Sequence, residues 1–173
     1  MSSKYTGQCL CGQISYAVDV EPLFAGNCHC KDCQRTSGSA DVPAMIFPAS
    51  KVVIHGEPRY FVSTSDSGNA HSRGFCPNCG SQLFARFSHL PDVLGIKAGT
   101  LHETSHYQPM LDFHVASAAA WDVMNPALPK KTRRCSSLSG QLLPEGGVRC
   151  HPPAGLVDDR AQGKAVAQKR QSQ

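Results

Sequence analysis

The chain lacks any apolar run approaching the roughly 20 residues that span a bilayer as a helix. Its start, Met1-Ser2-Ser3-Lys4-Tyr5, lacks the basic stretch and apolar core of a secretory leader. A soluble, cytoplasmic protein without membrane attachment is the expectation. There is no glycine-rich phosphate loop and no dinucleotide fingerprint, so no nucleotide cofactor is expected. Internal repeats are absent apart from paired cysteines. Aromatic residues are few, at 7%, and none follows Trp121, so the last quarter brings no large ring to a core.

Positive charge is also scarce where the aromatics are. Residues 1–129 carry eight Lys/Arg against ten Asp/Glu, a balance of −2, whereas residues 130–173 carry nine against three, a balance of +6. The net +4 of the 173-residue chain therefore comes from its end. A boundary near Pro126–Lys130 follows, dividing a domain at 1–129 from a basic tail at 130–173. The tail is rich in Lys, Arg, Ser, Gln, Gly and Pro. It cannot bury enough apolar surface to offset the entropy of ordering it, and disorder is expected there. Its run Lys130-Lys131-Thr132-Arg133-Arg134 is short and has no interleaved aromatics to stack on bases, so no nucleic-acid partner is expected.

The first 129 residues read as mainly β. Ile14, Tyr16, Val18 and Val20 alternate as on a half-buried strand. Further strands are expected at Ala44–Phe47, Lys51–Ile54, Arg59–Val62, Gln82–Phe87, Val93–Ala98 and around Phe113–Val115. Turns are expected at His55–Pro58 and at Leu90-Pro91-Asp92, and a loop at Ser63–Asn69. Only Ser117–Met124 looks helical, with a short turn after Cys33. So many short strands point to stacked small sheets.

What the chain has in quantity is cysteine, nine in all, seven of them in the first 79 residues. They form Cys9-Leu10-Cys11, Cys28-His29-Cys30-Lys31-Asp32-Cys33 and Cys76-Pro77-Asn78-Cys79. In a reducing compartment such spacings are those of metal ligands rather than disulfides. Zinc takes four sulfur or imidazole ligands in a tetrahedron. Cys9, Cys11, Cys76 and Cys79 can close one such site, stapling the N-terminus to a distant hairpin. Gly12 and Gly80 follow the pairs directly and let the backbone turn its N–H groups toward the sulfurs. Cys28, Cys30 and Cys33 supply three ligands to a second site. Three leave a position for water or substrate, the mark of a catalytic zinc, unless a fourth protein ligand closes it. His29, His55, His71 and His114 are the candidates for that fourth place.

Gln8-Cys9-Leu10-Cys11-Gly12, Cys28 through Gly38, Gly74 through Ser81, Lys97-Ala98-Gly99-Thr100-Leu101 and Trp121 together resemble the glutathione-dependent formaldehyde-activating enzymes, which include the centromere protein V type of domain. The resemblance spans roughly residues 5–125. It implies a β-tent of small antiparallel sheets with two zinc ions, structural at Cys9, Cys11, Cys76 and Cys79 and catalytic at Cys28, Cys30 and Cys33. The implied activity is that of a carbon–sulfur lyase, adding glutathione to formaldehyde or cleaving a related thiol adduct. The tail, with Cys135 and Cys150, lies outside the resemblance.

A zinc on three thiolates can collect a substrate thiolate or polarise a carbonyl, and its formal charge of −1 favours the first. Lys31 and Arg35 beside the trio could steer the carboxylates of glutathione, and Ser37 and Gly38 could offer donors. His29 could shuttle a proton. A zinc-stapled binding module without catalysis is the alternative reading.

Overall fold

The computed structural model describes residues 4–65 and 67–132. Residues 133–173, including Cys135 and Cys150, lie outside the described residues, as do most of the expectations for the tail. The expected mainly β architecture of small sheets is the one the chain adopts.

Three strands form one antiparallel sheet: β1 (Tyr5–Gln8), β2 (Ser15–Val18) and β5 (Val52–His55), with β2 in the middle. The larger sheet contains β3 (Phe24–Cys28), β4 (Val42–Pro48), β6 (Arg59–Thr64), β7 (Ala70–Phe75), β8 (Gln82–Phe87), β9 (Leu90–Lys97), β10 (Asp112–Phe113) and β11 (Lys130–Lys131). Its order is β11-β10-β3-β4-β9-β8-β7-β6. Six of these strands pair antiparallel, and β10 adds parallel to β3, with β11 parallel beyond it. The sheet thus continues across the expected 129/130 boundary.

The alternation in β2 delivers Tyr16 and Val18 to the interior, and β4 delivers Met45 and Phe47. Both meet Tyr5, Ile14, Leu83, Phe84 and Ile96 in one core, which also holds Cys9 and Cys76. Val93 to Ile96 are buried without alternation, the pattern of a strand covered on both faces, and β9 lies inside the sheet between β8 and β4. No helix among the described residues is long and apolar enough to cross a membrane.

Three expectations differ from what is observed. The turn between β8 and β9 falls at Ser88-His89, and β9 begins before Pro91. Pro91 is tolerated because it lies where the β8–β9 register slips between Ala85 and Phe87, and beyond the last β4–β9 pair, Pro48↔Val93. The helix expected at Ser117–Met124 does not form, and only a 3₁₀ turn at Val115–Ser117 appears. The one α-helix among the described residues, α1 (Lys31–Ser37), stands where a short turn was expected.

Candidate metal centres

Two hairpin-like knuckles face each other at the first cluster. Cys9 donates its N–H to Ile14 O at 2.9 Å and Gly12 donates back to Cys9 O at 3.0 Å. Cys76 and Gly80 repeat the arrangement with Ser81 O at 2.9 Å and Cys76 O at 2.9 Å. Both glycines have positive φ, 75° and 74°, which a side chain would strain. The Cys9 and Cys11 sulfurs are 3.5 Å apart and those of Cys11 and Cys76 3.7 Å. All four sulfurs lie within 4.8 Å of one another, and the set could hold a metal ion. Backbone N–H of Ile14 reaches Cys9 Sγ at 3.3 Å. A hydrogen bond from Ser81 pulls the Cys79 thiol down to about 5, a setting that favours a thiolate.

The second cluster is built by one strand end and one helix start. Cys28 ends β3, Cys30 is the N-cap of α1, and Cys33 lies in its first turn. The Cys30 sulfur accepts from Cys33 N–H at 3.4 Å. The three sulfurs also lie within 4.8 Å of one another. Contacts with Cys28 and Cys33 pull the Cys30 thiol well down, while contacts with Cys30 and Cys33 push Cys28 up. Three thiolates this close repel one another, and a divalent cation removes that conflict; the donor set fits a zinc ion.

Among the described residues, no other Cys, His, Asp or Glu joins this trio within that distance. His55 ends β5 and His71 stacks on Phe87 at 4.7 Å. His114 acts on Cys30 through its charge and adopts left-handed backbone at φ 60°. His29 turns away from the sulfurs on either side of it. Its ring, 1% exposed, has Nδ1 at 2.7 Å from Asp122 Oδ2 and Nε2 at 3.6 Å from Asp112 Oδ1, approaches of ion-pair kind that lack hydrogen-bond alignment. Asp112 also accepts from Asn27 at 2.8 Å and pairs with Lys130 at 2.8 Å. Gln34 ties the region together, donating to His29 O at 2.6 Å and Ser117 O at 2.8 Å.

Of the residues expected to contact substrate, Arg35 and Lys31 are exposed on α1, and Lys31 donates to Gln34 at 3.1 Å. Ser37 donates to Cys33 O at 2.8 Å and accepts from Ser39 N–H at 3.2 Å. It also lines an open cleft of about 370 Å³ with Thr36, Asp41, Gln82, Lys97 and Thr100. Sequence reasoning gave no role to Lys97, to Arg73 or to the carboxylates around His29. Arg73 is buried and held by Asp32 at 2.9 Å and Ser63 at 2.6 Å. Nothing in the spacing of Asp41, Asp112 and Asp122 signals that they converge, since β10 and the segment after it bring two of them back to β3 from far along the chain.

Two sulfur clusters, each able to hold a metal ion, on a mainly β frame define a cysteine-rich domain of the class the motifs suggest. The family model for glutathione-dependent formaldehyde-activating enzyme matches residues 4–117, and the chain belongs to that family. The structure is similar to the crystal structure of a Rhodobacter sphaeroides protein, at 18% identity and a TM-score of 0.46, covering 73% of this chain and 99% of that one. No curated protein matches the chain.

Proposed function

We propose that the chain is a zinc-dependent carbon–sulfur lyase that joins glutathione to formaldehyde as S-(hydroxymethyl)glutathione, or runs the reverse cleavage. Cys9, Cys11, Cys76 and Cys79 would hold a structural zinc, and Cys28, Cys30 and Cys33 a second one with a coordination position left for substrate. The observation that carries this reading is the trio of sulfurs without a fourth protein ligand among the described residues. When bound, zinc at the trio would keep a substrate sulfur ionised at neutral pH, where a free thiol of pKa ~8.5 is mostly protonated.

The remaining work belongs to the chain's own groups. Cys30 fixes the start of α1 while facing the site, so the ligand geometry and the helix position are set together. His29, clamped between Asp112 and Asp122, prevents the Cys28–Cys30 backbone from shifting. Lys31 and Arg35, both exposed, offer positive charge at the approach to the trio for a tripeptide with two carboxylates. Ser37, with its hydroxyl on the Cys33 carbonyl, holds the C-terminal turn of α1 against the cleft.

X-ray absorption at the zinc edge, with and without glutathione, tests thiol capture. The average sulfur shell should grow when glutathione saturates the protein, and binding should release a proton because the thiol enters as thiolate. An unchanged shell would reject the lyase reading in favour of a zinc-stapled binding module.

A further inference from the structure

Lys97 ends β9 opposite Ala44 of β4, and Val42, two residues earlier on β4, is opposite Cys28 of β3. Residues paired across strands share a sheet face, and so do residues two apart along a strand. Lys97 and Cys28 therefore project from the same face, the one that carries the trio. Lys97 is partly buried and also lines the cleft beside Ser37. The sulfurs do not line that cleft, and Lys97 is the cationic residue that both lines the cleft and acts on the trio through its charge.

Of the other cations near the trio, Arg73 is taken by Asp32 and Ser63, and Lys31 and Arg35 stand exposed on α1, so Lys97 is the partly buried one that lines the cleft. No carboxylate among the described residues pairs with the Lys97 ammonium. Burial pushes its pKa down, Cys33 and Cys28 raise it, and Arg73 lowers it further. Asp41 lines the same cleft, but the charges acting on it are His29, Asp122 and Asp112. A partly desolvated ammonium without a carboxylate partner is a pre-formed anion site, and its hydrogen bonds are stronger there than in water.

We infer that Lys97 is the oxyanion-holding catalytic residue of this site, and that the group it takes is the alkoxide formed on the aldehyde carbon. The inference rests on the thiol-addition reading above. The substrate thiolate forms a carbon–sulfur bond, the C=O π bond breaks, and its electron pair goes to oxygen. Lys97 stays charged and holds that oxygen by a charge-assisted hydrogen bond. A proton from water in the open cleft then completes the hydroxyl, matching the one the thiol gave up on binding. In the cleavage direction the same ammonium stabilises the alkoxide before the carbon–sulfur bond breaks.

Mercaptoacetate tests this without turnover, because it carries a fixed anion close to its sulfur, one carbon further out than the alkoxide of the adduct. Mercaptoethanol is the neutral control. Calorimetry on the zinc-loaded protein should show mercaptoacetate binding about ten- to a hundredfold more tightly than mercaptoethanol. Lys97→Met should abolish that preference while keeping mercaptoethanol affinity and zinc content, and Lys97→Arg should restore much of it. In turnover of glutathione with formaldehyde, Lys97→Met should lower kcat on the order of a hundredfold or more, with KM for glutathione little changed. Equal affinity for the two thiols in the unaltered protein would overturn the inference and leave thiol capture standing. Loss of zinc from both variants would also overturn it, since Lys97 would then serve the ligands and not the substrate. Failure of both thiols to bind would remove thiol capture itself, and the inference with it.

Discussion

The cysteines of the two clusters serve different neighbours, and single substitutions should separate them. Cys76 is fully buried and belongs to the main core with Phe84 and Leu83. Cys76→Ser removes a ligand from the proposed zinc staple and places a hydroxyl among apolar side chains, so folding itself should suffer. Structural zinc in small peptides is worth on the order of 10–16 kcal/mol to the folded form, which sets the scale of the loss. Cys30 belongs to a smaller cluster with Cys28, Cys33 and Val42. Its sulfur also caps α1, a position where serine is among the best residues. Cys30→Ser should therefore keep the helix and the β content and lose metal from the second site alone. Circular dichroism, thermal melting and zinc analysis on both variants check this, and equal collapse of the two would make the second cluster structural as well.

The same scale shows what the sequence made legible. Cysteine spacing announces its chemistry because two sulfurs a turn apart have few other uses, and the sulfurs that cluster in sequence, as pairs or as a trio, also cluster in space. His29 offers no such signal. It sits between two cysteines in the sequence, yet the partners it finds, Asp112 and Asp122, lie more than eighty residues away. Lys97 stands inside a recognisable motif, but only the pairing of β3, β4 and β9 turns it toward the trio.

Among the elements, α1 is the one whose ends decide the site. Seven residues are too few to be stable alone, so its caps and tertiary contacts hold it. At its C-terminus Gly38 adopts φ 67° and returns its N–H to Gln34 O at 2.9 Å. A Cβ there would meet nothing within 4 Å, so Gly38→Ala carries only the backbone penalty of left-handed geometry, about 1–2 kcal/mol. Gly99→Ala is the control: that position is equally open and has no positive φ, so its effect should be close to zero. Chemical denaturation of the pair measures the difference. A Gly38→Ala variant as stable as Gly99→Ala would show that the turn can relax.

The helix that the sequence suggested and the chain does not form has a complementary explanation. Ser117–Met124 contains three consecutive alanines, which favour helix locally. Its backbone and side chains are claimed from outside. The Ser117 carbonyl accepts from Gln34 and the Asp122 carboxylate sits against His29. Contacts across the fold therefore override a weak local preference. Strand existence was easier to read than strand ends, because alternation survives in β2 and β4, whereas β9 shows an unbroken apolar run and β10 is only two residues long.

For the whole molecule the open question is where the folded unit stops. The charge and aromatic content change near residue 129, yet Lys130 and Lys131 pair with β10, and Lys130 Nζ lies 2.8 Å from Asp112 Oδ2. Asp112 is 1% exposed and the His29 clamp depends on it. Burial raises its carboxyl pKa, but Lys130, Asn27 and His29 more than offset that and leave it below the usual carboxylate value. A depressed folded pKa means that Asp112 adds stability above its unfolded value, about 3.9, and that this stability is lost as pH falls through the lower folded value. A chain ending at Pro129 removes Lys130 and leaves burial less opposed. The Asp112 pKa then rises, and acid unfolding should begin at higher pH than in a chain ending at Thr132. At neutral pH the shorter chain should be less stable by about 1–3 kcal/mol, the scale of a buried acceptor that loses one partner, and toward the lower end because Lys130 is a third exposed. The 132-residue chain should match the full one in zinc content and stability, because the remaining tail brings no aromatic residue to a core. Acid titrations of the three chains followed by far-ultraviolet circular dichroism decide the matter. If the chains ending at 129 and 132 unfolded at the same pH, Lys130 would be a surface ornament of the sheet. If the 132-residue chain lost metal or aggregated, the tail would belong to the domain, and Cys135 and Cys150 would become candidate ligands.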